Sequence, residues 1–422
     1  PDEMNKTYFS FDENLGRYQT IDDYNNRAST NWQDLVFRDA PMTSHHLALN
    51  GGTKNTRYSS SVSYYNQQGT IVESSYESLK ARITLDQQLS KSVKWGGAAN
   101  FANNISIGSA PSQGDGQSTQ YFLYQVLAYR PVKYRSSDEL ADITDTNGGT
   151  YPYNPVKTIE NSYTKQRNRQ FNINTYLNWT IIKDLLFKVT FSYTWREVRD
   201  EKFYNKNTYF GDPSYSSSRS NGMFNYKEWN SWSNEYTLSY KKRIKDHNLN
   251  GMLGTSLSSQ EITNLGAKSV MLSWDEMGFW GINEGTPQSL TSDKVKNNML
   301  SFFARFNYDW KSRYLITATM RADGTSRFVH HKWGYFPSVA AAWRVSDEPF
   351  MATFGSWLSN LKLRLGWGAT GNNATQNAFP SNILYTGNQN YPFGNSMQPA
   401  IYLMQIANRN LKWETTYQSN LG

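Results

Sequence analysis

Gln170 to Arg196 reads QFNINTYLNWTIIKDLLFKVTFSYTWR, and its alternation decides the fold. From Phe171 to Trp179 the odd positions are Phe171, Ile173, Thr175, Leu177 and Trp179, and the even ones are Asn172, Asn174, Tyr176 and Asn178. After a break at Ile182-Lys183-Asp184 the apolar series resumes as Phe187, Val189, Phe191, Tyr193 and Trp195, set against Lys188, Thr190, Ser192, Thr194 and Arg196. Strand side chains alternate between faces, so each arm has one apolar and one polar face. A soluble sandwich alternates as well. Two details favour a membrane barrel. Each arm is about 10 residues long, which suits a tilted spanning strand. Each apolar face also carries Trp or Tyr near an end, where an amphipathic ring meets the headgroups.

The unit recurs along the chain. Leu79, Ala81, Ile83, Leu85 and Leu89 face one way and Lys80, Arg82, Thr84, Asp86 and Gln88 the other. Val93, Trp95, Gly97, Ala99 and Phe101 return. Phe302, Ala304, Phe306, Tyr308 and Trp310 alternate with Phe303, Arg305, Asn307 and Asp309, and Tyr314, Ile316, Ala318 and Met320 follow the turn at Lys311-Ser312. About thirteen strands can be counted, the last starting at Leu411. Short turns fall near 53, 91, 183, 245 and 311, and long loops near 135, 215, 280 and 390, in strict alternation. Outer-membrane barrels separate their connections in this way, with short periplasmic turns and long extracellular loops.

The fold class is therefore all-β, a transmembrane antiparallel β-barrel. Residues 1–43 form an extracellular-side segment, with a short helix start for which Thr20 is the cap and Asp23 stands three residues later, and an amphipathic stretch from Asn31 to Arg38. Residues 44–422 form a partial barrel with long loops near 105–165, 199–230, 260–297 and 372–410, and a possible helix at Ser346 to Asn360. An odd strand count and a chain ending inside a strand predict a fragment, because single-chain bacterial barrels have an even count and no free edge.

Composition agrees. Mean hydropathy is −0.72, no run of 18 apolar residues exists, and aromatics reach 15%, which suits a wet lumen with aromatic girdles. The formal charge is +8, but Lys and Arg are scattered along alternating strands, so a basic lumen and turns are favoured over nucleic-acid binding. With no cysteine, disulfide frameworks and Cys-based metal sites are excluded.

No catalytic constellation stands out: there is no His-Glu-x-x-His, no Gly-x-Ser-x-Gly and no phosphate loop, so the chain reads as a non-enzyme without a cofactor or metal. His45-His46 and His330-His331 are adjacent pairs, and strand neighbours point to opposite faces. Asp142 to Gly148 resembles a calcium loop, yet its first spacing is three where the EF-hand needs two, so an Asx-rich turn is preferred. The loop aromatics are the candidates for a substrate path or partner contact: Tyr121, Phe122 and Tyr124; Tyr204, Tyr209 and Phe210; Trp229 and Trp232; Trp274, Phe279 and Trp280. Such rings stack on sugars or peptides, or pack loop against loop.

Several motifs, taken together, resemble the SusC/RagA family of TonB-dependent outer-membrane transporters of Bacteroidetes. They are Asn31-Trp32-Gln33-Asp34 with Ala40-Pro41-Met42; Leu47 to Thr53; Ser63 to Gly69; and Arg321-Ala322-Asp323-Gly324-Thr325-Ser326-Arg327-Phe328. Lys332-Trp333-Gly334-Tyr335-Phe336-Pro337 through Arg344, Leu361 to Asn372, and Asn410-Leu411-Lys412-Trp413-Glu414-Thr415 continue the series. For Arg321, Asp323, Gly324, Arg327, Phe328, Trp333, Gly334, Tyr335, Pro337 and Trp413 the role expected is strand, turn and girdle structure. The resemblance implies a complete barrel of about 22 strands with a plug. It also implies residence in the bacterial outer membrane, a SusD-like surface lipoprotein as lid, energy from TonB through an N-terminal region not in this chain, and a dimer of transporter–lipoprotein pairs. The plug and last strands are expected to be missing here. The function expected is import of large nutrients, oligosaccharides first, with oligopeptides as the same-class alternative. An adhesin or structural barrel without transport is the rival from another class.

Overall fold

The computed structural model describes residues 11–24, 29–108, 122–131, 153–213, 217–354, 358–374 and 382–422. The chain opens with the short pair β1 (Phe11–Asp12) and β2 (Arg17–Tyr18), a 3-10 turn at Ile21–Tyr24, and helix α1 (Trp32–Val36). The Asp23 carboxylate accepts from the Thr20 amide at 2.6 Å, which starts the 3-10 turn. Four strands follow: β3 (Met42–Gly52), β4 (Thr56–Gln68), β5 (Ser75–Gln88) and β6 (Val93–Ile107). Helices α2 (Phe122–Ala128) and α3 (Pro155–Glu160) lie in the next connection. Long strands come after: β7 (Ser162–Ile182), β8 (Leu185–Tyr204), β9 (Asn221–Ile244), β10 (His247–Val270) and β11 (Thr286–Trp310). The chain continues with β12 (Tyr314–Thr325), β13 (Trp333–Arg344), β14 (Lys362–Asn372), β15 (Leu384–Phe393), β16 (Ser396–Gln405) and β17 (Glu414–Leu421).

Thirteen strands join in one antiparallel sheet in the order β3 to β14, then β17. Strands β3 and β17 are its two edges and do not pair with each other, so the sheet is an open stretch of barrel wall. Directly paired residues share a face, and the register carries the alternation across the whole wall. Phe171 pairs with Phe101 and Trp195, and Leu238 with Phe187 and Leu253. Ala318 pairs with Phe306 and Val339, and Val339 with Trp367. One apolar face therefore runs from Leu47 on β3 to Trp367 on β14. Leu47 and Leu253 on this face are 75% and 63% exposed, which only an apolar solvent tolerates across so many neighbours.

Aromatic rows close the band at both ends. At the turn end Trp310 stacks on Tyr314 at 5.2 Å, and Tyr314 on Trp343 at 6.3 Å. Near the loop end Phe302 stacks on Trp333 at 6.0 Å. The tight turns take left-handed residues, which match the twist of hairpins: Asp184 (φ 71°) and Lys245 (φ 52°) in two-residue turns, and Lys311 with Ser312 (φ 52° and 56°) in the three-residue turn between Trp310 and Tyr314.

The structure corrects five expectations. The arms of the opening hairpin are 21 and 20 residues long, about twice the spanning length. The loop read as 199–230 is half strand and that read as 260–297 mostly strand, since β8 ends at Tyr204, β9 begins at Asn221, β10 ends at Val270 and β11 begins at Thr286. Beyond the membrane both faces are wet, so hydrophobic alternation disappears while the backbone ladder continues. Strict alternation of short and long connections also fails. The stretch 345–361 is long but lies at the turn end, with 3-10 turns at Val345–Asp347 and Pro349–Phe354 in place of a helix, whereas 69–74 and 326–332 are short and lie at the loop end. Within 372–410, β15 and β16 pair as a separate hairpin.

Near the chain start, α1 lies against the loop end of the wall. Phe37 bridges Ile71, and Trp32 and Val36 pack with Phe122, Val126 and Tyr129. Trp32 also donates through Nε1 to the Arg130 carbonyl at 2.8 Å.

Candidate substrate path

Opposite the apolar face, the same strands present Lys80 and Arg82 on β5, Asn172 and Asn174 on β7, Lys188 and Thr190 on β8, and Arg305 on β11. Inward-facing residues of such barrels are polar because the lumen is wet. Polar side chains tie neighbouring strands together on this face. Ser78 donates to Asn104 at 2.7 Å, Thr317 to Asn307 at 2.9 Å, and Tyr176 to Asp86 at 2.5 Å. Lys94 lies 3.7 Å from the same Asp86 carboxylate. Farther toward the loops, Arg321 reaches Asp323 at 2.8 Å and the Ser301 hydroxyl at 3.1 Å.

A recess on this face is walled by hydroxyls and amides, including Ser192, Thr194, Ser231, Ser233, Ser258 and Gln260. One residue pair above Thr194 and Ser231, Arg196 on β8 is paired with Trp229 on β9. The Arg196 guanidinium and the Lys227 ammonium each lie 4.9 Å from the Trp229 ring centroid. Arg196 also donates to Asn168 at 3.3 Å. A flat ring, two cations and a hydroxyl-lined wall make a surface suited to sugar rings and to carboxylates. The more apolar recesses lie on the outer face, one among Leu47, Val62, Ala81 and Phe171, the other among Leu238, Leu253, Phe306 and Met320. They open toward lipid.

The candidate aromatics separate into four places. Trp229 and Trp232 belong to β9 and not to a loop; Trp229 is on the inner face, while Trp232 is paired with Tyr193 on the outer face. Tyr204, Tyr209 and Phe210 pack with each other and with Tyr153, Tyr204 at 4.9 Å from Phe210 and Tyr209 at 5.5 Å from Tyr153. Phe122 and Tyr124 sit on α2, Phe122 buried against α1. Phe279 is buried with Phe203 and Leu272 on the outer side of the sheet, where Tyr163 burial and the Glu201 carboxylate push the Tyr163 phenol up to about 12. Trp280, on the same 3-10 segment (Asp275–Glu284), and Trp274, the residue that precedes it, are exposed. Tyr121 and the Asp142–Gly148 turn lie outside the described residues. Among the described residues no cluster of three or more His, Cys, Asp or Glu is placed to hold a metal.

The motif residues gather at the loop end of β12, β13 and β17. Phe328, Phe336 and Trp413 form a buried cluster, and Trp413 donates to the Lys332 carbonyl at 2.9 Å. A Cβ on Gly334 would stand 2.8 Å from Trp413, so this close approach requires glycine. Trp333 and Tyr335 are on the outer face, paired with Gly324 and Ala322.

Comparison with known proteins follows the same lines. TonB-dependent receptor SusC of Bacteroides thetaiotaomicron is 28% identical over 433 residues, covering 94% of this chain and 40% of that protein. TonB-dependent receptor P26 of Formosa agariphila is 27% identical over 399 residues, covering 92% of this chain and 38% of that one. The chain thus spans about two fifths of the length of these curated relatives. The solved RagAB peptide importer in its closed-closed state superposes with a TM-score of 0.73 at 22% identity, over 100% of this chain and 46% of that one, and shares the fold. The family model described as TonB dependent receptor-like, beta-barrel matches residues 100–422, and the chain belongs to that family of outer-membrane proteins.

Proposed function

We propose that this chain is part of the wall of a TonB-dependent importer of large nutrients, oligosaccharides foremost. It acts as a transporter and not as an enzyme. Cargo is captured at the loop end beneath a SusD-like surface lipoprotein, and plug movement driven through TonB opens a hydrated path along the polar face. The observation that carries this reading is the inner surface around Trp229, where Arg196 and Lys227 flank the ring above a hydroxyl-lined recess. Sugar hydroxyls and ring oxygens meet the Ser and Gln side chains of the recess and the two cations that lie over the Trp229 ring. Support also comes from the curated relative named TonB-dependent receptor SusC.

An oligopeptide cargo is the second reading. The cations beside Trp229 suit peptide carboxylates as well as sugar acids, and the fold is shared with the RagAB peptide importer. The full-length protein with its co-purifying lipoprotein is tested against size-matched oligosaccharides and peptides by calorimetry. Binding of oligosaccharides that weakens in Trp229→Ala supports the first reading. Binding of peptides alone selects the second, and full-length protein that binds neither contradicts both.

A further inference from the structure

On β8 the outward residues run Leu185, Phe187, Val189, Phe191, Tyr193 and Trp195, and then become Glu197, Arg199 and Glu201. From Leu185 to Trp195 the strand climbs about 25 Å, at about 3.3 Å per residue and a tilt of about 40°. That height equals the apolar band of an outer-membrane barrel. The next outward rows therefore stand about 5 Å and about 10 Å above it, at headgroup level.

Those rows hold a built arginine cluster. Arg169 is paired with Glu197 and Arg167 with Arg199. Glu197, only 7% exposed, accepts from Arg169 at 2.8 Å and from Arg167 at 3.5 Å. Arg199 lies 2.5 Å from Glu201, which also accepts from the Tyr163 hydroxyl at 3.0 Å. The Arg169 guanidinium rests 5.9 Å from the centre of the Trp195 ring, and Arg199 lies 5.2 Å from that of Phe224. The carboxylates are buried beneath, while the three arginines keep 28–35% of their side chains exposed.

Three guanidiniums face three carboxylates, Glu197, Glu201 and Glu228, the last paired with Glu197. Lys165, paired with Glu201 on the same face, leaves the surface positive, with the arginine side chains partly exposed above the aromatic girdle. A guanidinium has five donors in a planar fork that fits phosphate in bidentate fashion. Carboxylates holding the arginines from below reduce the ordering cost of binding. We infer that Arg167, Arg169 and Arg199 form a binding site for phosphate-bearing glycolipid headgroups of the outer leaflet. Lys294 and Lys296, on the outer face of β11, extend the basic surface; Lys294 is held by Glu261 at 2.8 Å. The site is on the outside of the wall, independent of any cargo path.

The test uses the full-length transporter, delipidated in detergent and titrated by native mass spectrometry. The probes are bis-phosphorylated lipid A, the same lipid A after enzymatic dephosphorylation, and inorganic phosphate. The phosphorylated lipid should bind at least about tenfold more tightly than the dephosphorylated one. The combined substitution Arg167→Gln, Arg169→Gln and Arg199→Gln should abolish that preference, and Lys54→Gln in a turn at the opposite end should leave it intact. Equal binding of the two lipids by the unaltered protein overturns the proposal, whether or not the triple variant folds. Displacement of the lipid by equimolar inorganic phosphate overturns the lipid assignment. So does a patch whose substitution changes only the oligomeric state, because it would then be a protein interface.

Discussion

Tyr314 and Trp343 stack across neighbouring strands with centroids 6.3 Å apart and planes 9° apart, and both rings reach the same carboxylate, Glu348. Trp343 donates to it through Nε1 at 3.1 Å, and Arg313 pairs with it at 3.2 Å. The turn-end girdle is thereby anchored to the connection 345–361. Trp343→Ala removes a ring stack worth about 0.5–1.5 kcal/mol beyond its buried area. It should lower stability by at least that amount in urea unfolding of the folded barrel. It should also loosen 345–361 in hydrogen exchange, while Trp343→Phe keeps the stack and loses only the bond to Glu348.

Glu348 also sets a pH dependence. Hydrogen bonds from Tyr314 and Trp343, together with Arg313, hold its carboxyl below the ordinary value. A depressed folded-state pKa contributes stability that is present above the unfolded value near 4.5 and is lost as pH falls through the folded one. Protection of 345–361 from hydrogen exchange, corrected for the intrinsic rate, should be flat from pH 7 to about 5 and fall below about 4. In Glu348→Gln the acid-side fall should be absent and protection at pH 7 lower. An unchanged acid limb would contradict the assignment.

The lipid face predicts a sharp contrast between neighbours. Lysine at Ile173 or Val189 should cost roughly 2–4 kcal/mol if it meets the midplane. The same residue at Asn174 or Thr190, one step along on the other face, should be tolerated. Folding yield and urea stability in lipid vesicles measure the difference. Equal costs on both faces would contradict the barrel orientation.

At the loop end, Gly334→Ala places a methyl group against Trp413 and the Phe336 ring, inside the Phe328–Phe336–Trp413 cluster. Overpacking of this kind costs about 1–3 kcal/mol. A lower midpoint in thermal or urea unfolding checks it. Gly366→Ala, where a Cβ meets nothing within 4 Å, is the control.

The wall was legible wherever one face meets lipid, because lipid imposes the period of two that Phe171 to Trp179 and Phe187 to Trp195 display. The pairing in register and the lower aromatic row followed from it. Legibility ended at the girdle. From Arg196 upward both faces are polar, so β9, β10 and β11, at 24, 24 and 25 residues, extend beyond what hydrophobicity marks, and Trp229 was assigned to a loop. Phe279 looked like a loop ring because its burial depends on Phe203 and Tyr163, more than 70 residues earlier in the chain. The arginine cluster leaves no local motif either, since Arg167 and Arg169 meet Glu197 only through strand pairing. Register could have revealed it: extending the hairpin pairing upward from Phe171 and Trp195 brings Arg169 to Glu197.

The most direct test of the central claim is a nitroxide scan along β7. The chain has no cysteine, so once any cysteine elsewhere in the full-length protein is replaced by serine, a single cysteine can be introduced at each position from 170 to 179. Each labelled variant is reconstituted in lipid vesicles, and collision with dissolved oxygen is compared with collision with a water-soluble nickel chelate. An outer-membrane wall predicts a period of two, with oxygen favoured at positions 171, 173, 175, 177 and 179 and the chelate at the even positions. No alternation, or alternation with the even positions in lipid, would contradict it.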